Sequence, residues 1–386
     1  MLFYFIFVTL MCTVNSIVIN YNTNYILEYV KHRNYPIEMH NIDTTDGYGV
    51  NIHRIPHGLN NNSSIGNRRV VLLVHGLQES AEHWMINGNK SLAFLLADLD
   101  YDVWMSNARG TYHSKAHAKY DTSKSEYWDF SWHEIGLYDH PATIDYILSK
   151  TGASKLSYIG HSQGATTFLV LTSIYPEYND KINIMIGLAP AAYMAHVKNP
   201  VFTTMSRVWE MINPRQGLLD NALINTIAEN FCKVIIIVQS ICSNMLFLMA
   251  GYDYEQLDQN LVPDIMRSLP AGASTKQWVH YLQLVRSGYF RQYDYQGKDN
   301  LLRYGRAEPP IYDLNKVTAK IALYYSLNDW LAPPEDVRRL RDELPNVVVD
   351  HLVIYENFNH WDFLFAKDIV ELLYNDVIQT LSKYKD

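Results

Sequence analysis

The pentapeptide Gly160-His161-Ser162-Gln163-Gly164 constrains this chain more than any other stretch. It follows the strand-like run Lys155-Leu156-Ser157-Tyr158-Ile159 and opens the helical run Ala165–Ile174. A strand that turns abruptly into a helix leaves no space for side chains on either side of the turn, which is the physical reason for glycine at both ends. The serine between them is held in a strained conformation with its hydroxyl exposed above the sheet. A fold containing this feature needs a sheet whose strands run into helices.

The rest of the chain supplies one. Short runs suited to strands recur at Ile37–Ile42, Gly49–Ile55, Val70–His75, Tyr101–Ser106, Lys155–Gly160, Asn183–Leu188, Lys320–Tyr325 and Val347–Tyr355. The first two join through Asp46-Gly47, a good hairpin turn. Helical patterns at Leu92–Leu99, Pro141–Lys150 and Ala165–Ile174 separate the later strands, with Asp139 or His140 as the expected cap of the second and Gly152 just past its end. Strands alternating with helices after an initial hairpin predict an eight-stranded, mostly parallel sheet covered by helices on both faces.

The rhythm breaks between about Ala192 and Tyr312. That stretch holds the helical segments Val208–Ile212 and Leu219–Ile227 and the apolar run Val234–Met249. Gln239, Ser240, Ser243 and Asn244 interrupt this run, and it is short for a bilayer span, so it reads as a helix of an inserted cap. The expected organisation is a leader over 1–16, a core in two parts (17–191 and 313–386), and a helical cap or lid over 192–312.

The 386 residues include 48% hydrophobic ones, enough for a large core, and 40 acidic residues against 32 Lys and Arg. This balance disfavours a nucleic-acid partner and suits a neutral substrate. Met1–Val14 is almost wholly apolar but shorter than the ~20 residues of a bilayer-spanning helix. It ends in Val14-Asn15-Ser16 and reads as a cleaved signal peptide, or alternatively as a short anchor, its amino end lacking positive charge. Of three cysteines, Cys12 would leave with the leader. Cys232 and Cys242 remain, either as a disulfide closing a short loop or as two buried thiols. Glycosylation sequons begin at Asn61, Asn62 and Asn89, in keeping with export.

A serine hydroxyl becomes a competent nucleophile when a histidine takes its proton, and that histidine needs an acid to orient it. His161, beside Ser162 on the turn, should point away and serve packing or supporting hydrogen bonds. His360 follows the last strand and is the expected base, whereas His351 lies within that strand. Asp329 follows the preceding strand and is the expected acid, ahead of Asp336, which opens a helix. The oxyanion of a tetrahedral intermediate needs two aimed N–H donors. The Gln163 amide is one, and the Leu77 amide in His75-Gly76-Leu77-Gln78 is the other. His75 reads as a supporting residue, with no accompanying cluster to suggest a metal.

Several further stretches sharpen this reading: Asp46-Gly47-Tyr48, Arg54-Ile55-Pro56, Tyr101-Asp102-Val103-Trp104, Asn107-Ala108-Arg109-Gly110, Trp128-Asp129-Phe130-Ser131-Trp132 and Asn359-His360-Trp361-Asp362-Phe363. With the pentapeptide and His75-Gly76-Leu77, they make the chain resemble the acid lipases, the gastric and lysosomal neutral-lipid hydrolases and their insect relatives, from about Asn41 to the C-terminus. The resemblance implies an α/β-hydrolase fold with an inserted cap and lid, and a Ser162-Asp329-His360 triad with oxyanion donors at Leu77 and Gln163. It also implies a cap disulfide that Cys232 and Cys242 could supply. Family members act on triacylglycerols, and some on cholesteryl esters, without a metal or organic cofactor. The expected partner is therefore a neutral lipid or ester at a lipid interface, met by a secreted or lysosomal protein with no permanent membrane span. Ser106, the stretch Gly272-Ala273-Ser274 and the spacing of the cap cysteines depart from the family pattern; the first two changes are mild, and the last, in a diverged cap, leaves acyl-chain preference open. A small-ester carboxylesterase, an acyltransferase with the same triad, and a non-catalytic lipid binder are the alternatives.

Overall fold

The computed structural model describes residues 25–59, 68–212, 214–218 and 236–384. The leader, Asn61, Asn62, Cys232 and the expected helix Leu219–Ile227 lie outside the described residues. The strands are β1 (Glu38–Asp43), β2 (Tyr48–Ile55), β3 (Arg69–Val74), β4 (Tyr101–Ser106), β5 (Ala116–His117), β6 (Leu156–His161), β7 (Ile182–Leu188), β8 (Gly217–Leu218), β9 (Ala273–Ser274), β10 (Ile321–Tyr325) and β11 (Val347–Leu352).

One sheet runs in the order β1-β2-β4-β3-β6-β7-β10-β11, with two-residue β5 pairing to β2. β1, β2 and β4 pair antiparallel, and every contact from β4 to β11 is parallel. The eight long strands correspond to the eight strand-like runs of the sequence. Burial follows position in the sheet. Every residue of β4, β6 and β10 is buried, as strands covered on both faces must be, whereas all but one residue of β1 and every residue of β11, at the edges, are half-exposed or exposed. At the hairpin, Gly47 takes φ +98°, a left-handed value that its missing side chain permits.

Connectivity sets where a ligand can sit. The chain passes from β3 outward to β4, then returns across β3 to β6. Strand order therefore reverses between β3 and β6, and a crevice opens beyond the carboxyl ends of adjacent parallel strands at such a switch point. His75-Gly76-Leu77 leaves β3 there, and Ser162 leaves β6.

Two local expectations need correction. The helix His140–Thr151 continues from a wide turn over Ile135–Asp139, so Asp139 has helical geometry and does not cap; its carboxylate binds the Arg109 guanidinium instead. Gly152 does end that helix in a left-handed conformation. In place of a helix at Val208–Ile212 there is a helix at Pro200–Met205, begun by the Asn199 side chain, followed by a single 3-10 turn at Trp209–Met211. Asn199 and Pro200 explain the shift, because Asn caps a helix and Pro suits its first position.

Between β7 and β10 the structure has further helices at Ile236–Ala250, Val262–Ser268, Thr275–Ser287 and Gly297–Tyr304, and the short antiparallel pair β8–β9. Ile236–Ala250 coincides with the apolar run of the sequence. Among the described residues no helix is long and apolar enough to cross a membrane. Asn89 is exposed, in the 3-10 turn Gly88–Lys90.

Candidate active site

Ser162 stands at the end of β6 with φ +51° and ψ −112°, a backbone conformation that an L-residue adopts only when its surroundings enforce it. The enforcement is steric and local. A Cβ on Gly160 would lie 2.5 Å from the Gly164 carbonyl carbon, and one on Gly164 would lie 2.3 Å from the Val74 carbonyl oxygen on neighbouring β3. The Ser162 amide donates to the Leu188 carbonyl at 2.9 Å, tying the turn to β7. The helix Gln163–Ile174 begins immediately afterwards, so its unpaired first amides and the positive end of its dipole face the space beside Ser162.

Asp329 is fully buried in the turn after β10. One carboxylate oxygen accepts from the Leu331 and Ala332 amides, both at 2.8 Å, and the other accepts from His360 Nδ1 at 2.7 Å. Such a carboxylate cannot rotate, and it holds the His360 proton on Nδ1, leaving Nε2 as the basic nitrogen. Among the described residues no hydrogen bond joins Ser162 Oγ to His360. Bonds of this kind commonly tighten only when substrate arrives.

The loop carrying His360 is closed by its own side chains. The Asp362 carboxyl accepts from the Asn359 amide at 2.6 Å, and the Asn359 side-chain oxygen accepts from the Trp361 amide at 2.7 Å. Burial pushes the Asp362 carboxyl well above the usual carboxylate range, and the neighbouring carboxylate of Asp253 adds to this. The C-terminal end of helix Ile236–Ala250 reaches both loops. The Ala250 carbonyl accepts from the Trp330 amide at 3.1 Å and the His360 amide at 3.4 Å, and the Gly251 carbonyl accepts from Asn359 Nδ2 at 3.1 Å.

Beyond β3, His75 donates from Nδ1 to the Gly76 carbonyl at 2.7 Å and accepts from the Ala108 amide on Nε2 at 2.9 Å. Burial lowers its pKa to about 4, keeping the ring neutral as this bonding requires. Gln78 takes φ +65° and is gripped by the stretch before β9: its carbonyl accepts from the Ala271 amide at 2.6 Å and its side chain from the Gly272 amide at 3.2 Å. These contacts fix the loop bearing the Leu77 amide. At the elbow, Gln163 donates from its side chain to Gln277 at 2.8 Å.

The remaining candidates fall elsewhere. Asp336 is buried at the start of helix Pro334–Glu343, where it accepts from the amide of His196 and pairs with its ring. His351 lies on β11, 3.6 Å from Asp376. His161 bonds to Glu79 and to the His360 carbonyl. Glu79, Asn359 and Gly251 were not read from the sequence as part of the site. Each acts through a partner distant in the chain, and no spacing rule marks them. Among the described residues no group of three His, Cys, Asp or Glu side chains is placed to hold a metal ion.

A doubly covered parallel sheet with a strained serine at its switch point defines an α/β-hydrolase, and comparison with known proteins agrees. Residues 69–225 match the α/β-hydrolase fold model, and residues 26–88 match the partial α/β-hydrolase lipase region. The chain is 41% identical to Lipase 3 of Drosophila melanogaster, over 93% of each chain. It is 35% identical to gastric triacylglycerol lipase of Rattus norvegicus, covering 93% of this chain and 91% of that one. A solved structure of a soluble variant of monoglyceride lipase from Saccharomyces cerevisiae shares the fold, with a TM-score of 0.56 at 17% identity, over 89% of this chain and 95% of that one. The chain belongs to the acid lipase family, that of the gastric lipases and their insect relatives, and is a carboxylic ester hydrolase.

Proposed function

We propose that this hydrolase is a lipase that cleaves acyl esters of neutral lipids, triacylglycerols first and cholesteryl esters second, through an acyl-enzyme on Ser162. His360 takes the Ser162 proton as the hydroxyl attacks the ester carbonyl, and Asp329 steadies the resulting imidazolium. The Leu77 and Gln163 amides hold the oxyanion. His360 then protonates the departing alcohol, and water repeats the sequence to release the fatty acid. The observation that carries this reading is the 2.7 Å bond from His360 Nδ1 to a carboxylate already held by two amides, in the same sheet as a serine strained to φ +51°.

Residues 192–312 act as a cap that shields the acyl chain and opens at a lipid interface. Support comes from the names of the relatives, lipases of insects and gastric triacylglycerol lipase, and from the apolar character of helix Ile236–Ala250. Cys232 and Cys242 close a disulfide in this region; Cys242 as a half-cystine supports the pairing. With the leader removed and Asn61, Asn62 and Asn89 available for glycosylation, the protein is secreted or lysosomal.

A fluorophosphonate probe should modify the folded protein at Ser162, with peptide mapping as the readout. Ester hydrolysis should rise with acyl length and include emulsified triolein. Activity confined to two-carbon esters would make the protein a carboxylesterase, and failure of the probe to react would leave a lipid binder.

A further inference from the structure

Glu79 and His161 are both buried, yet neither belongs to the triad on which the proposed function rests. Their bonding joins three parts of that site. One Glu79 oxygen accepts from the Gly76 amide at 2.6 Å, in the loop that carries the Leu77 amide. The other lies 2.8 Å from His161 Nδ1. His161 Nε2 lies 3.1 Å from the main-chain oxygen of His360, and the two imidazoles are 4.9 Å apart between centroids. His161 is itself the residue preceding Ser162.

Proton counting fixes the character of this chain of bonds. A carbonyl oxygen has no proton to give, so His161 Nε2 must donate to His360. The contact between Nδ1 and the Glu79 oxygen then needs one more proton, or two lone pairs would face each other at 2.8 Å. The pair therefore carries two protons and no net charge, an arrangement that burial tolerates. Gly76 leaves room for this carboxylate: a Cβ there would lie 2.7 Å from a Glu79 carboxylate oxygen and would have to displace it.

We propose that Glu79 and His161 are positioning residues, a buried bonded pair that sets the oxyanion loop, the nucleophile's turn and the main chain of the catalytic base at fixed mutual distances. Each of those three segments carries a group of the proposed site, so loosening the pair displaces reacting groups without removing any of them. The electrostatics agree. Burial raises the Glu79 carboxyl, but the charge and hydrogen bond of His161, the nearby His83 and the Gly76 amide outweigh it and hold the group down at about 2.

The test compares Glu79→Ala with Glu79→Gln on a soluble ester, with rates normalised to the fraction of protein labelled by a fluorophosphonate. Glu79→Ala should lower kcat per labelled site on the order of 10- to 100-fold, the scale set by small misplacements of reacting groups, and leave KM nearly unchanged. Glu79→Gln should recover most of that loss, because a carboxamide accepts from Gly76 and donates to a neutral His161 that still donates to His360. A wild-type kcat per labelled site in Glu79→Ala, a change confined to KM, or a Glu79→Gln enzyme as slow as Glu79→Ala would each overturn the proposal. If the alanine variant does not fold, ¹⁵N-histidine spectra of the wild type decide. His161 Nε2 should carry an exchange-protected proton, and an unprotonated Nε2 refutes the pair. Ser162→Ala and probe labelling of the wild type run alongside; failure there removes the triad reading and leaves the proton on His161 a separate result.

Discussion

The strand ends and the segment between β7 and β10 hold the site in different ways. At the strand ends, geometry comes from crowding: Gly160, Gly164 and Val74 leave one path for the backbone, and Ser162 takes it. From the β7–β10 segment, the hold is polar and made largely by main chain: the Ala250 and Gly251 carbonyls on the acid and base loops, the Ala271 and Gly272 amides on Gln78, and Gln277 on Gln163. Tyr281 adds a bond from its hydroxyl to Thr166 at 3.0 Å. Steric crowding within a core is lost only by rearranging the core. Exposing hydrogen-bonded groups costs little when water replaces the partner. The two regions thus hold the site by different forces, and under the proposed function the polar contacts are the ones that opening of a cap would exchange for water.

The sharpest way to break this contrast is at its rigid end. Ser162→Ala should reduce ester turnover by something on the order of 10⁶, as in analogous triads, with the melting temperature preserved. Near-normal turnover in a verified fold would assign the chemistry elsewhere. Asp329→Asn should cost about 10⁴ in kcat, because an amide there no longer secures the His360 proton on Nδ1; steady-state kinetics at saturating ester check this.

Glycine substitutions compare the two regions directly. Gly164→Ala places a methyl 2.3 Å from the Val74 carbonyl and should prevent the turn from forming, visible as insoluble or unlabelled protein. Gly251→Ala meets the Asn328 carbonyl at 2.2 Å, at φ +116°, in the segment between β7 and β10. It should leave a folded protein with kcat lowered by about 10², because only the acid and base loops move. If circular dichroism and labelling show equal damage from both, the two regions are not mechanically distinct.

The smallest effect concerns pH. Burial raises the Asp362 carboxyl in the folded protein, so between its ordinary value and its raised value the native state binds more protons than the unfolded one. Stability should therefore fall as pH rises through that window and be greatest on its acid side. Asp362→Asn should flatten the dependence, narrowing the gap in melting temperature between about pH 4 and pH 7 by a few degrees. An unchanged gap would place the dependence on other groups. Glu79 has the opposite sign. Its lowered value means its contribution is present above the ordinary carboxylate range and lost only as pH falls toward about 2.

Reading the sequence singles out Ser162, Asp329 and His360 as candidate nucleophile, acid and base because each follows a strand-like run, and strand ends are marked by local pattern. It also marked the eight long strands and helix Ile236–Ala250. It misjudged Asp139, whose capping chemistry was redirected by a guanidinium thirty residues earlier in the chain, and it placed a helix at Val208–Ile212 where Asn199 and Pro200 had started one sooner. Glu79 was passed over although it lies in the same loop as Leu77.

By itself, then, the sequence determined the order of the long strands, the strained turn, and which side chains could serve as nucleophile, base and acid. These depend on contacts between residues close in the chain, or on chemical type alone. Only the tertiary structure decided which partners satisfy the buried polar atoms: Glu79 with His161, Asn359 with Gly251, Gln163 with Gln277. Hydrogen bonds demand a donor and an acceptor at fixed distance and angle but carry no periodicity, so their pairing between partners 82 to 114 residues apart leaves no trace in the linear pattern.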